Sequence, residues 1–264
     1  MPLNASECLC SPLNASECRY PQLKDQQLVG GVYIKQLLAQ PSWQLRDPRA
    51  FLEALLADWA QAVEGRQSAE VLADLSRVLV VLLQANPALA LHVAAMGYLL
   101  KILNAAAADR ADLQKSAVMV VRVLSGAPEV VHAMRALDVA TPLLKAMKIN
   151  VNMCAQLLPA MNEMCKAPEL VEKFHEAQIV PFVLGLIAGG LETAEDPATI
   201  KAHSVTLLKT LVQDPRLGPT IQAILDENKE WEHYKDQDHA LFLAPNTTAG
   251  QLQGPSGPRM GLLT

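Results

Sequence analysis

Four X-Pro pairs, Asn86-Pro87, Ala127-Pro128, Ala167-Pro168 and Asp214-Pro215, each follow the end of an apolar helical stretch, and their prolines are spaced by 41, 40 and 47 residues. A period near forty in a chain rich in Leu, Ala and Val is the signature of stacked helical repeats. Fifteen positions after the first three prolines stands an apolar pair: Ile102-Leu103, Leu143-Leu144 and Val183-Leu184. Proline ends one helix and tolerates the first turn of the next. Each unit therefore reads as a short helix, a second helix, a loop and a longer third helix, the last falling at 114–125, 151–166 and 197–213. The extra length of the last unit fits a loop insertion at Gly189 to Glu195. Pro159 lies inside a third helix, where the lost hydrogen bond and steric clash cost about 3 kcal/mol, so a kink or split is expected in 151–166.

A unit of this kind cannot bury its own apolar face; stacking on its neighbours is what removes that face from water. The expected fold class is all-α, a right-handed armadillo/HEAT-like α-solenoid. Composition agrees: 51% of the 264 residues are hydrophobic and only 4% aromatic, and the long runs of Leu, Ala, Gln, Lys and Glu favour helix over strand. Ahead of the repeats, Ile34, Leu37 and Leu38 share a helical face before Pro41. Asp47-Pro48 opens the next helix, on which Phe51, Leu55 and Trp59 recur at four-residue spacing with Leu52, Leu56 and Val63 beside them. Ser68 caps a third, with Val71, Leu75, Val78, Leu79 and Leu82 on one side and Val80, Val81 and Leu83 on the other. After Leu225, the residues Trp231, Tyr234, Leu241, Phe242 and Leu243 read as a capping segment folded back on the last repeat.

Three regions follow. Residues 1–27 form a disordered leader in which Pro-Leu-Asn-Ala-Ser-Glu-Cys occurs at 2–8 and again at 12–18. Residues 28–244 form the repeat domain, and 245–264 a disordered tail dominated by Gly, Pro and Thr. Asn4, Asn14 and Asn246 are glycosylation sequons by pattern only.

The formal charge of −5 and pI near 5.7 give no broad positive field, and no stretch clusters Lys and Arg with aromatics. Nucleic acid is therefore not an expected partner. The N-terminus has no basic n-region and apolar core of a signal peptide. Val78 to Leu100 carries no formal charge and is long enough to span a bilayer, but Gln84, Asn86, Pro87 and His92 interrupt it, so Asn86-Pro87 is read as a turn and no transmembrane span is expected.

GxGxxG, P-loop and GxSxG motifs are absent, and no catalytic, cofactor-binding or metal residue is assigned. The histidines His92, His132, His175, His203, His233 and His239 are scattered. His233 and His239 flank Asp236 and Asp238, read as a solvated charged cap. Cys8, Cys10 and Cys18 lack a fourth ligand at zinc-finger spacing. Cys154 and Cys165, eleven residues apart on one helical segment, are roughly 16 Å apart along the axis, too far for a disulfide within one helix, and are read as reduced, buried small hydrophobes. Cys165 with His175 could be imagined as nucleophile and base, but Cys165 shares its face with Leu158 and Met161, which reads as core. Met147, Met153, Met161 and Met164 are read as gap-filling core. The residues four after Trp43, Trp59 and Trp231 are Asp47, Val63 and Lys235, so the Trp-Asn pairing of armadillo peptide grooves is missing.

Particular strings carry a family resemblance. Gly-Gly-Val-Tyr-Ile-Lys at 30–35, Leu-Ala-Gln-Pro-Ser-Trp at 38–43, Asp-Pro-Arg-Ala-Phe-Leu at 47–52, Ile-Val-Pro-Phe at 179–182 and Lys-Asp-Gln-Asp-His-Ala-Leu-Phe at 235–242 are prominent among them. Shorter matches are Lys-Ser-Ala at 115–117, Thr-Ala-Gly at 248–250 and Gly-Pro at 254–255. In order, they resemble the C-terminal helical region of the DnaJ homolog subfamily C member 13 family over about residues 28 to 264. The resemblance implies a cytoplasmic scaffold peripherally associated with endosomes, acting in receptor-mediated endocytosis and cargo recycling with sorting nexin/retromer and the WASH machinery. In that family, recruitment of heat-shock 70 protein rests on a J domain with a His-Pro-Asp loop; no histidine here is followed by proline, so heat-shock 70 stimulation is not assigned. The chain then corresponds to a fragment or short paralogue of such a protein. Gln251 and Leu262 stand where that family's tail is expected to carry tyrosines, and the duplicated leader matches nothing in it. The alternative is a generic armadillo-type peptide-binding adaptor unrelated to endosomes. An enzyme is the weakest reading.

Overall fold

In the computed structural model, residues 47–65 and 68–236 are described. The leader, the helix expected before Pro41, the tail, and Leu241 to Leu243 lie outside them, as do His239 and the first three cysteines. Among the described residues there are thirteen α-helices, two short 3-10 turns and no strand.

Helices α1 (Pro48–Glu64) and α2 (Ala69–Ala85) come first. Their starts are built as the sequence predicts. The Asp47 carboxylate accepts the Ala50 N–H at 2.9 Å, and the Ser68 hydroxyl accepts that of Val71 at 3.4 Å, each relieving an amide that has no partner within the helix. One full unit follows as the 3-10 turn Pro87–Leu89, α3 (Ala90–Ala95), α4 (Tyr98–Ala106) and α5 (Ala111–Leu124). The next comprises α6 (Pro128–Met134), α7 (Ala140–Ile149), the 3-10 turn Val151–Met153 and α8 (Cys154–Met164). The third comprises α9 (Pro168–Glu176), α10 (Ile179–Ile187) and α11 (Pro197–Val212), and α12 (Gly218–Asp226) and α13 (Lys229–Glu232) close the described chain.

The third helices build the solenoid. Helix α2 packs along α5, α5 along α8, and α8 along α11, while α1, α4 and α10 back α2, α5 and α11. Second helices touch between units as well, α1 on α4 and α4 on α7. The progression is rung to rung, and its interior is one continuous cluster from Phe51 to Trp231. Phe51, Leu55 and Trp59 are fully buried, as are Leu72, Leu79 and Leu82 on α2; Val63, Val80 and Val81 are only partly so. Met147, Met153, Met161 and Met164 in the second unit are at most 8% exposed, as is Met134 at the end of α6, so they fill core.

Asn86-Pro87 is a turn. Helix α2 and the segment Pro87–Ala95 meet at 115°, and among the described residues no single helix is long and apolar enough to cross a membrane.

The structure departs from the sequence pattern at a few boundaries. Helix α8 runs through Pro159 without splitting. The break in 151–166 falls earlier, at Val151–Met153, where the Asn150 side chain accepts the Asn152 N–H at 3.0 Å and sets a tight first turn. Asp214-Pro215 follows the end of α11 as expected, and the next helix does not begin at Pro215. The Asp214 carboxylate accepts the N–H groups of Arg216 and Leu217, both at 2.9 Å, and its carbonyl accepts that of Gly218. This closes a turn and defers α12 to Gly218, with Pro219 in the helix's first turn. Helix α5 also starts three residues earlier than the pattern suggests, at Ala111.

Candidate protein-interaction surface

Among the described residues no group of three His, Cys, Asp or Glu side chains could hold a metal ion. The described histidines lie apart from one another along the fold. His92 pairs with Arg49 at 2.9 Å, His132 lies against Arg135, and the buried Nδ1 of His175 has no hydrogen-bond partner. Cys154 and Cys165 are both free thiols. Burial pushes Cys154 up to about 12, and burial reinforced by the charge of Asp214 pushes Cys165 up as well. Both thiols therefore stay protonated at neutral pH, the opposite of what a nucleophile needs. His233 sits just past α13, and Trp231 beside it is 3% exposed, packed where α13 meets α10 and α12. Tyr234 packs against the same cluster, with Lys201 Nζ donating to its hydroxyl at 3.0 Å and lying 5.3 Å from its ring centre. These contacts are those of a cap.

Polar groups hold the rungs in register. Gln114 on α5 is 1% exposed and donates from its side-chain amide to the Ala146 carbonyl of α7 at 3.0 Å. The ammonium of Lys173 on α9 donates to the carbonyls of Arg135 and Leu137, at 2.7 and 2.6 Å, just past the end of α6. A cation at a helix C-terminus meets carbonyls that have no intrahelical partner and the negative end of the dipole. Arg135 bridges to Glu169 at 2.7 Å, and Arg216 to Glu172 at 3.1 Å. On the third helices, the Thr210 hydroxyl of α11 lies 2.6 Å from Asn162 Oδ1 of α8. Sequence reasoning missed these ties. The available signal was a polar residue inside an apolar stripe: Gln114 one and two turns before Val118 and Val121, and Ser76 between Leu72 and Leu79.

What remains for a partner is the open side of the third helices and the edge where each runs into the next unit. Two clefts follow that edge. One, of about 790 Å³, lies between the turn at Pro87–Leu91 and the Arg122–Glu129 stretch. The other, of about 310 Å³, lies between the same Gly126–Pro128 turn and Glu163–Glu169. The first is mostly apolar, floored by Leu83, Ala90 and Val123, and Leu91 at its lip is 46% exposed. Large apolar side chains open to water beside a concave cleft are the kind of feature a protein partner covers.

No family model and no solved structure matches the chain. It is similar to the DnaJ homolog subfamily C GRV2 of Arabidopsis thaliana, with 26% identity over 289 aligned residues. That alignment covers 86% of this chain and 11% of the relative, so the chain spans about a ninth of that protein's length and is similar to a stretch of a DnaJ subfamily C protein along most of its own.

Proposed function

We propose that this chain is a non-catalytic protein-interaction scaffold of the endosomal DnaJ subfamily C kind, cytoplasmic and peripherally associated with endosomes, acting in receptor-mediated endocytosis and cargo recycling. The observation that carries the reading is the unbroken ladder α2, α5, α8, α11, whose open side gives a partner an extended rigid face. The similarity to a DnaJ homolog along 86% of the chain supports the family-level part of it. Sorting nexin/retromer and WASH components are the proposed partners. No histidine of this stretch is followed by proline, so its own residues are not proposed to stimulate heat-shock 70. The protonated thiols of Cys154 and Cys165 argue against the one nucleophile-base pairing, Cys165 with His175, that the sequence suggests.

The test is proximity labelling and co-precipitation from cells by the full chain, compared with an unrelated helical-repeat protein. Enrichment of sorting nexin or WASH subunits together with punctate endosomal staining is the expected result. Diffuse staining without either partner overturns the endosomal reading.

A further inference from the structure

The third-helix face is electrically uneven around α5. Lys115, Met119 and Arg122 stand at i, i+4 and i+7 on its open side, Lys115 exposed and the other two half-buried. Seven residues of helix place the two cations about 10 Å apart. Acids on α5 itself and on the two helices packed along it, α2 and α8, are already paired: Asp112 with Arg110 at 2.6 Å, Asp74 with Arg77 at 2.7 Å, and Glu163 with Lys166 at 2.5 Å. The Lys115 and Arg122 side chains have no such partner among the described residues. Glu129, in the first turn of α6, lies across the cleft from Arg122 without an ion-pair partner among the described residues.

The stripe runs into the larger apolar cleft, because Arg122 is one of the residues lining it, opposite Leu91. One guanidinium thus belongs to both features. Resting on the scaffold reading above, we propose that this surface docks an extended acidic peptide segment of a partner protein, with one apolar residue seated in the cleft and carboxylates on Arg122 and Lys115. An extended chain advances about 3.3 Å per residue, so acids three positions apart reach both cations. Glu129 repels carboxylates from the α6 lip and orients the acidic run along α5. An anionic membrane fits less well, since lipid recognition takes clusters of four to eight basic residues and this stripe offers two in a chain of net charge −5.

The test is fluorescence anisotropy with the full chain and a labelled peptide, Leu-Glu-Ser-Ser-Glu-Ser-Ser-Glu. Saturable binding is expected, weakened at least about ten-fold by Lys115→Glu with Arg122→Glu, and comparably by replacing the glutamates with Gln. Replacing the leucine with Ser weakens it as well. Should the reversed variant lose its helical circular dichroism, Lys115→Gln with Arg122→Gln is the second variant, with a smaller loss expected. Absence of binding, or equal binding by a folded reversed variant or by the Gln peptide, overturns the proposal. So does Arg122-dependent recruitment to phosphatidylserine vesicles without peptide binding. Endosomal staining that survives in cells expressing the reversed variant leaves the scaffold reading intact, so the two failures are distinguishable.

Discussion

The indole Nε1 of Trp59 on α1 donates to the Ser76 hydroxyl of α2 at 2.9 Å, with both side chains wholly buried. A large apolar ring is thereby held in the first rung with its one polar atom satisfied by the neighbouring helix. Ser76→Ala leaves that N–H buried without a partner and is expected to destabilise the fold by about 1–3 kcal/mol in urea titration. Trp59→Phe in the Ser76→Ala background removes the orphaned donor. A double-mutant cycle should therefore give clearly non-additive costs, whereas additive costs would mean the bond contributes nothing.

Lys173 ties two units by bonding the Arg135 and Leu137 carbonyls. Lys173→Met keeps much of the aliphatic stem and loses the bonds, with an expected loss of about 1–3 kcal/mol. Hydrogen exchange should speed up at the end of α6 and the start of α7 before it does elsewhere.

Two glycines predict opposite outcomes for the same substitution. A Cβ on Gly218 would lie 2.1 Å from the Val212 carbonyl oxygen, a backbone atom that cannot swing aside, whereas one on Gly185 meets nothing within 4 Å. Gly218→Ala is expected to destabilise by about 1–3 kcal/mol. Gly185→Ala, on the exposed face of α10, is expected to stabilise by up to about 1 kcal/mol. Thermal denaturation of the two variants side by side checks both signs.

Asp196 caps α11 and is held below the ordinary carboxylate range by the Thr199 side chain and then by the Thr199 backbone N–H, which it accepts at 3.1 Å. Because its folded-state value is depressed, its contribution is present above the unfolded value and is lost as pH falls through the folded one. Asp196→Ala should cost about 0.5–2 kcal/mol at neutral pH. The gap to wild type should narrow as the solution is acidified below pH about 4, the ordinary aspartate value. A gap independent of pH contradicts the capping role.

Much of the architecture is legible because local chemistry repeats along the chain. Asp47, Ser68 and Asp196 cap the helices they precede, and Pro48, Pro87, Pro128, Pro168 and Pro197 stand in first turns. Asp214-Pro215 marks the end of α11 as its position implies, but Asp-Pro serves two geometries, and here it closes a turn where at 47–48 and 196–197 it opens a helix. What separates them is downstream, where Pro219 claims the first turn that Pro215 does not occupy. Pro159 misleads because propensity is a local cost and the packing of Leu157, Leu158, Ala160 and Met161, all fully buried, keeps α8 continuous around it. The candidate site was hidden for a different reason. Arg122 and Leu91 are 31 residues apart and meet across a cleft only once one unit stacks on the next.

The stacking itself is open to direct measurement by electron–electron resonance between spin labels on the exposed residues Gln84, Lys166 and Gln213, at the ends of α2, α8 and α11. Packed helices lie about 8–10 Å apart axis to axis. Two rungs should thus separate Gln84 from Lys166 by roughly 20 Å, and three rungs should place Gln213 roughly 10 Å farther still. A distance from Gln84 to Gln213 no longer than that to Lys166 would mean helices gathered into one bundle, and would contradict the ladder.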